Sequence, residues 1–291
     1  MASIKTVAVL GTGTMGQGIA QVAAATGHTT RLFDADPDRV TSALAAIGAQ
    51  LEKLVAKGKI KADARVSTLG NLAAAGDVGR ACEGADLVIE AAPESMDLKV
   101  SLFRQVVLAA PAHALLGSNT SSLSLTELGN RIGAPERTLG LHFFNPPPVM
   151  ELLEVVRGLR TSDESLERAL GFARALGKTP IVVNDVPGFA SSRLGVILGA
   201  EAIRMVETRV ASVGDIDRAM ELGYRHPMGP LKLTDLVGLD VRLAILDHLQ
   251  KELGEQFRAP PLLRAMVRAG KLGKKTGEGF YVWKDGVPEP R

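Results

Sequence analysis

The residues best suited to do chemistry in this chain are His142 and Glu154, which bracket the segment GLHFFNPPPVMELLE. Each stands on a short apolar run, and a proline loop lies between the runs. A neutral imidazole is a good general base at cellular pH. A carboxylate on an apolar run needs a partner. If the two runs return antiparallel across the loop, Glu154 meets His142, fixes the ring tautomer and stabilises the imidazolium. This is the orienting role a carboxylate plays in nucleophilic triads. Such a pair can take the proton of an alcohol while hydride leaves the carbinol carbon. The bland alternative is a buried His–Glu pair with a purely structural role. The other histidines offer less. His28 follows Gly27 and reads as a helix cap. His113 lies in a loop beside Pro111, His248 reads as a solvated helix face, and His226 before Pro227 is ambiguous.

A hydride needs an acceptor, and Gly11-Thr12-Gly13-Thr14-Met15-Gly16 supplies the fingerprint of one. It follows the apolar run at residues 6–10 and opens a helical segment, and Asp34 ends the next strand-like run. Gly11 permits the tight turn, Gly13 lets a pyrophosphate approach the backbone, and Gly16 lets helix and strand pack closely. Amides at the helix start then face the phosphates. Asp34 would accept from the ribose hydroxyls and repel a 2′-phosphate, which favours NAD; Arg31 and Arg39 keep NADP open. A structural glycine turn in another α/β protein is the competing reading. The run Ser118-Asn119-Thr120-Ser121-Ser122 offers hydroxyls to a substrate oxygen, but its spacing fits a helix N-cap at Ser122 or Ser124 better.

These residues need elements to hold them. Continuous apolar runs at residues 6–10, 29–33, 86–91, 115–118 and 138–142 read as buried strands. Helical patterns at 15–26, 38–60 and 98–109 alternate with them, which predicts a doubly wound sheet of Rossmann type. Residues 152–156 read as a further strand. The pattern changes near Asn184-Asp185-Val186-Pro187-Gly188. Beyond it the helical segments 193–207, 213–222, 231–253 and 262–269 predict a helical domain, with one candidate strand at 280–283. The expected division is residues 1–186 for dinucleotide binding and 187–291 for an all-helical substrate and dimerisation domain.

With 291 residues, the chain is long enough for two cores. A net charge of +2 argues against a dedicated nucleic-acid binder. Cys82 is the only cysteine, so no internal disulfide or cysteine-based zinc site is expected, and no metal site is read. No signal peptide is read at the start, and no apolar window is long enough to span a membrane. A cytoplasmic protein without membrane or nucleic-acid partners is the expectation.

Taken together, GTGTMG, SNTSSL, GLHFFNPPPVMELLEVV, DVPGF, HPMGPLKLTDLVGLD and GKKTGEGFY resemble the short-chain L-3-hydroxyacyl-CoA dehydrogenase family, in particular its bacterial 3-hydroxybutyryl-CoA branch. The resemblance spans nearly the whole chain, and HFFNP followed by the glutamate is its most specific part. It implies reversible oxidation of an L-3-hydroxyacyl-CoA by NAD, in fatty-acid or related metabolism, by a homodimer. It assigns His142 as catalytic base, Glu154 as its partner and Ser121 as the contact to the substrate oxygen. Asn145, Glu94, Lys99 and Lys275 match positions near the cofactor, and Lys57 matches a lysine that meets the CoA nucleotide. Lys53, Lys57, Lys59 and Lys61 also read simply as a solvated face. The family often carries asparagine where Ser192 stands here. The shorter serine could still reach a thioester carbonyl, directly or through water. Gly195 and Gly199, four apart on a helix, suggest close helix contact. Two rival readings are a gulonate-type dehydrogenase of a free hydroxy acid or sugar acid, and a non-catalytic NAD-binding protein.

Overall fold

Residues 7–10 and 87–89 are wholly buried, and they lie side by side at the centre of one sheet. In the computed structural model, which describes residues 3–289, the chain divides into two units, Met1–Val186 and Pro187–Arg291. The first unit runs β1 (Thr6–Leu10), α1 (Thr14–Ala25), β2 (Thr29–Phe33), α2 (Pro37–Ala56), α3 (Ala62–Gly70), β3 (Leu72–Ala74), α4 (Val78–Cys82), β4 (Leu87–Glu90), α5 (Met96–Ala109), β5 (Leu115–Ser118), α6 (Leu125–Ile132), β6 (Thr138–Phe143), β7 (Leu152–Arg157), α7 (Asp163–Ala175) and β8 (Thr179–Asn184).

The eight strands order as β3-β2-β1-β4-β5-β6-β7-β8. All neighbours are parallel except β6 and β7, which are antiparallel. Chain progression reverses between β1 and β4, and that reversal opens a crevice beyond their carboxyl ends, where ligands bind in open α/β sheets. Apolar side chains of the strands and of α1, α2 and α7 form one core. Helix starts follow local chemistry: Asp36 with Pro37 opens α2, Ser95 caps α5, and Ser162 caps α7.

The long helical pattern at 38–60 ends at Ala56, followed by left-handed Gly58 (φ 66°), and resumes as α3. β3, α4, α7 and β8 are elements the sequence pattern does not announce. β3 has three residues with no β-branched side chain, and β8 is a largely exposed edge strand where Pro180 costs no ladder bond.

The second unit consists of α8 (Ser191–Glu207), α9 (Val213–Arg218), α10 (Pro230–Val237), α11 (Leu239–Leu253) and α12 (Pro261–Arg268), and ends in the short hairpin β9 (Val282–Lys284) and β10 (Val287–Glu289). The expected helix 231–253 is split by Gly238 at φ 102°. Two buried aspartates tie the unit together. Asp217 accepts from the amides of Leu231 and Lys232 and from the Tyr281 hydroxyl. Asp235 accepts from the amides of Phe280 and Tyr281 and from the Trp283 indole. Among the described residues, no helix is long and apolar enough to cross a membrane.

Candidate active site

The β6–β7 register sets His142 directly opposite Glu154. Both strands are buried there: the imidazole is 7% exposed and the carboxylate 0%. His142 Nδ1 lies 2.6 Å from Glu154 Oε2, the length of a charge-assisted bond. This contact puts the proton on Nδ1 and orients the ring, and Phe144 packs against it with centroids 4.7 Å apart. The loop between the strands is held from two sides. Lys178, at the foot of β8, donates to the carbonyls of Pro147 (2.6 Å) and Met150 (2.8 Å). On α1, Gly18 makes room for Pro147: a Cβ there would lie 2.6 Å from Pro147 Cδ. Asn119 fixes the end of β6 by accepting from the Phe143 amide at 2.9 Å.

At the crevice between β1 and β4, a cleft of about 630 Å³ is lined by Gly13, Thr14, Met15, Asp34, Arg39 and Pro93 among others. The glycines have separable reasons. Gly11 has φ 96°, and a Cβ on it would meet the Ala91 carbonyl oxygen at 2.7 Å. A Cβ on Gly16 would lie 1.8 Å from the Gly11 carbonyl oxygen, so α1 starts hard against the turn. A Cβ on Gly13 would meet nothing within 4 Å. No protein atom fills that point, which leaves the backbone there open to a ligand's close approach. That open cradle at the start of a twelve-residue helix fits a dinucleotide pyrophosphate. Asp34 accepts from the Thr12 amide at 2.8 Å and hydroxyl at 3.0 Å, which fixes its carboxylate at the rim. Partial burial pushes its carboxyl up, but the Thr12 and Asp36 amides, the Thr12 hydroxyl and Arg39 outweigh that and hold it below its ordinary value. Arg31, read as a possible partner of a 2′-phosphate, is instead tied to the Arg80 and Glu83 carbonyls.

A further network that the sequence does not reveal lies at the ends of β4 and β5. Glu90, at the end of β4, accepts from Lys99 (2.6 Å), the Ala92 amide (2.6 Å) and the Ser118 hydroxyl (2.6 Å). Lys99 also lies 3.3 Å from Glu94. Glu94 in turn accepts from the Thr120 hydroxyl and from the amides of Ser121 (3.1 Å) and Ser122 (3.2 Å). Burial pushes the Glu94 carboxyl up, yet Lys99 and these donors bring it below its usual range. The structure therefore gathers Glu94, Lys99 and Ser121 into one assembly, in which Glu94 holds the turn that carries Ser121. The cap of α6 is Ser124, whose hydroxyl accepts from the Glu127 amide; Asp185 braces the same helix start by accepting from Leu125 and Thr126. A carboxylate closing an apolar strand, as in DLVIE, was the available signal for Glu90.

The remaining candidates stand each within its own unit. Asn145 is exposed in the proline loop, and Lys57 is exposed at the end of α2. In the second unit, Ser192 is half-buried in the first turn of α8. Lys275, also there, binds both carboxylate oxygens of Asp240 at 2.6 Å. His248, expected on a solvated face, has its Nε2 buried without a hydrogen-bond partner.

Residues 6–186 match the family described as 3-hydroxyacyl-CoA dehydrogenase, NAD binding domain, and residues 188–283 match its C-terminal domain. The chain is 43% identical over 283 residues to a probable 3-hydroxybutyryl-CoA dehydrogenase of Bacillus subtilis, covering 97% of this chain and 98% of that one. It is also 43% identical over 286 residues to the 3-hydroxyadipyl-CoA dehydrogenase of Escherichia coli, covering 98% of this chain and 60% of that one. The crystal structure of (S)-3-hydroxybutyryl-CoA dehydrogenase from Ralstonia eutropha superposes with a TM-score of 0.94 at 39% identity, covering 97% of this chain and 100% of that chain.

Proposed function

The chain belongs to the 3-hydroxyacyl-CoA dehydrogenase family, and on that premise we propose that it interconverts short L-3-hydroxyacyl-CoA and 3-ketoacyl-CoA with NAD. The observation that carries this reading to particular residues is the His142–Glu154 contact at 2.6 Å between paired strands. NAD, when bound, takes up or returns the hydride. In the oxidation direction His142 accepts the 3-hydroxyl proton. Because Nδ1 is engaged by Glu154, that exchange falls to Nε2. Glu154 balances the imidazolium, and the buried position of both groups strengthens the interaction. Ser121 steadies the reacting oxygen from the turn held by Glu94. Gly11, Gly13 and Gly16, with Thr12, Thr14 and Met15, form the cradle for the dinucleotide, and Asp34 takes the ribose hydroxyls. Asn145, Lys99 and Lys275 complete the cofactor side, with Lys99 acting through Glu94; Ser192 meets the thioester, and Lys57 the CoA nucleotide.

The test is loss of NADH absorbance with acetoacetyl-CoA and, separately, with free acetoacetate. Turnover of the thioester alone is expected. Equal use of the free acid would favour a hydroxy-acid dehydrogenase, and no turnover of either would favour a binding protein. His142→Gln should lower kcat by about 10²–10⁴-fold while NADH binding persists; near-normal kcat would remove His142 from the mechanism.

We also read the protein as a cytoplasmic homodimer serving acyl-chain metabolism. Leu233, Leu236, Val237 and Val241 are exposed around Gly238, an apolar cluster of the kind that marks an interface. A monomer in sedimentation at micromolar concentration would refute the dimer.

A further inference from the structure

The starts of β5 and β6 lie side by side, at the opposite end of the parallel strands from the dinucleotide crevice. A cavity of about 570 Å³ opens there within the first unit. That size is in the range of small-molecule sites, and no residue of the proposed reaction lines it. Three arginines reach it from three elements. Arg137 comes from the turn that enters β6, Arg160 from the loop between β7 and α7, and Arg168 from α7.

Two of these arginines are held in place by backbone. Arg137 Nη1 donates to the carbonyls of Pro111 (2.9 Å) and Ala114 (3.1 Å), and Arg168 Nη1 donates to the carbonyl of His113 (2.6 Å). Both guanidiniums thus grip the loop that leads into β5. Among the described residues, Nη2 of Arg137 and Nη2 of Arg168 have no hydrogen-bond partner, and neither atom is sealed from solvent. Arg168 Nε is buried without a partner. Arg160 is exposed and stands in no ion pair among the described residues. Carboxylates do not neutralise the group. Glu136 and Glu164 share the wall but form no ion pair with any of the three, and Asp163 is taken by Arg157 at 2.6 Å. Burial pulls the Arg137 guanidinium below its ordinary value, and no carboxylate offsets it.

We propose that this cavity is a second ligand site of the first unit, which binds a small phosphorylated metabolite by its phosphate group. A phosphate monoester carries about 1.5 to 2 negative charges and three acceptor oxygens. That matches guanidiniums arriving from three elements, whereas a carboxylate is satisfied by one guanidinium through two parallel bonds. Val107, Ala112 and Pro135 supply apolar wall for the uncharged body of the ester. The site is remote from the proton-transfer pair. Arg137 precedes His142 by five residues along β6, about 16 Å at about 3.3 Å per residue. Its occupancy therefore leaves the histidine and the dinucleotide crevice open.

The experiment is isothermal titration calorimetry on the full chain saturated with NADH, so that the dinucleotide crevice is already filled. The probes are glucose 6-phosphate, inorganic phosphate, glucose and citrate. Glucose 6-phosphate should bind saturably with a Kd of about 1 mM or tighter, inorganic phosphate more weakly, and glucose not at all. Arg160→Gln and Arg168→Gln should each weaken the ester about tenfold, the scale of one charged hydrogen bond, with the circular-dichroism spectrum of the folded protein retained. Arg160 is exposed and braces nothing, so its variant decides the matter if Arg168→Gln fails to fold. Undiminished binding in Arg160→Gln would place the phosphate elsewhere and overturn the proposal. Absence of binding by both phosphate probes does the same. Binding of inorganic phosphate without the ester would assign the cavity to the free ion and refute the metabolite reading. Citrate binding tighter than the ester would refute the preference for phosphate. None of these outcomes depends on turnover of an acyl-CoA, so this site and the dehydrogenase reading stand or fall separately.

Discussion

Lys99→Met should unfold the first unit at a much lower temperature than any change to a surface ion pair. Lys99 and Glu90 are 1% and 0% exposed, with Nζ and Oε1 2.6 Å apart. Methionine matches the lysine stem without its charge, so little packing is lost. Glu90 would keep the Ala92 amide and the Ser118 hydroxyl but lose its counter-ion. Removing one partner of a buried pair costs about 3–5 kcal/mol, because the other charge stays buried and uncompensated. With about 2–4 °C of Tm per kcal/mol for a unit of this size, Tm should fall by roughly 6–20 °C. Thermal and urea unfolding followed by circular dichroism measure it. The double change Lys99→Met with Glu90→Gln removes both charges and should recover more than half of the loss. A pH signature accompanies the stability loss. The Glu94 carboxyl is depressed in the folded protein, so its contribution is complete above its unfolded pKa and is lost as pH falls through the folded value. Without Lys99 that folded value rises, and the acid limb of activity should move to higher pH. A cost under about 1 kcal/mol, the level of a surface pair, would refute the reasoning. A double variant as unstable as the single one would do the same.

Three further outcomes follow from the geometry. Gly18→Ala places a Cβ 2.6 Å from Pro147 Cδ and should cost about 1–3 kcal/mol of stability while lowering kcat; unchanged Tm and turnover would show that the proline loop does not depend on its seat on α1. Asp34→Asn should raise KM for NADH about 10-fold or more by removing a charged acceptor. In the wild type this carboxyl lies below its ordinary value, so KM for NADH should stay flat down to about pH 5 and rise only in stronger acid; a rise already at neutral pH would contradict it. Lys178→Met releases the Pro147 and Met150 carbonyls and should lower kcat with KM for NADH nearly unchanged, and steady-state kinetics that show the reverse would dissociate the loop from the histidine.

Much of the first unit was legible because its chemistry is local. Five apolar runs are continuous enough to read as buried strands, and the glycine fingerprint needs only a turn, a helix start and an acidic residue close in the chain. His142 and Glu154 were legible for the same reason: a single loop connects them, so antiparallel return was the one assumption required, and the register β6–β7 meets it. The elements that escaped reading are short or exposed, such as β3 and β8, and carry no strong period.

What the sequence alone determined is the identity of groups whose partners lie nearby along the chain: the dinucleotide turn, the histidine with its glutamate, and the helical character of the second unit. What only the tertiary structure decided is which buried polar groups on different elements meet. Glu90 draws in Lys99 and Ser118, and Glu94 collects the 120–122 turn. The physical reason is that a buried charge takes its energy from whatever the fold brings within a few ångströms, and neither the spacing of residues nor their hydropathy encodes that distance.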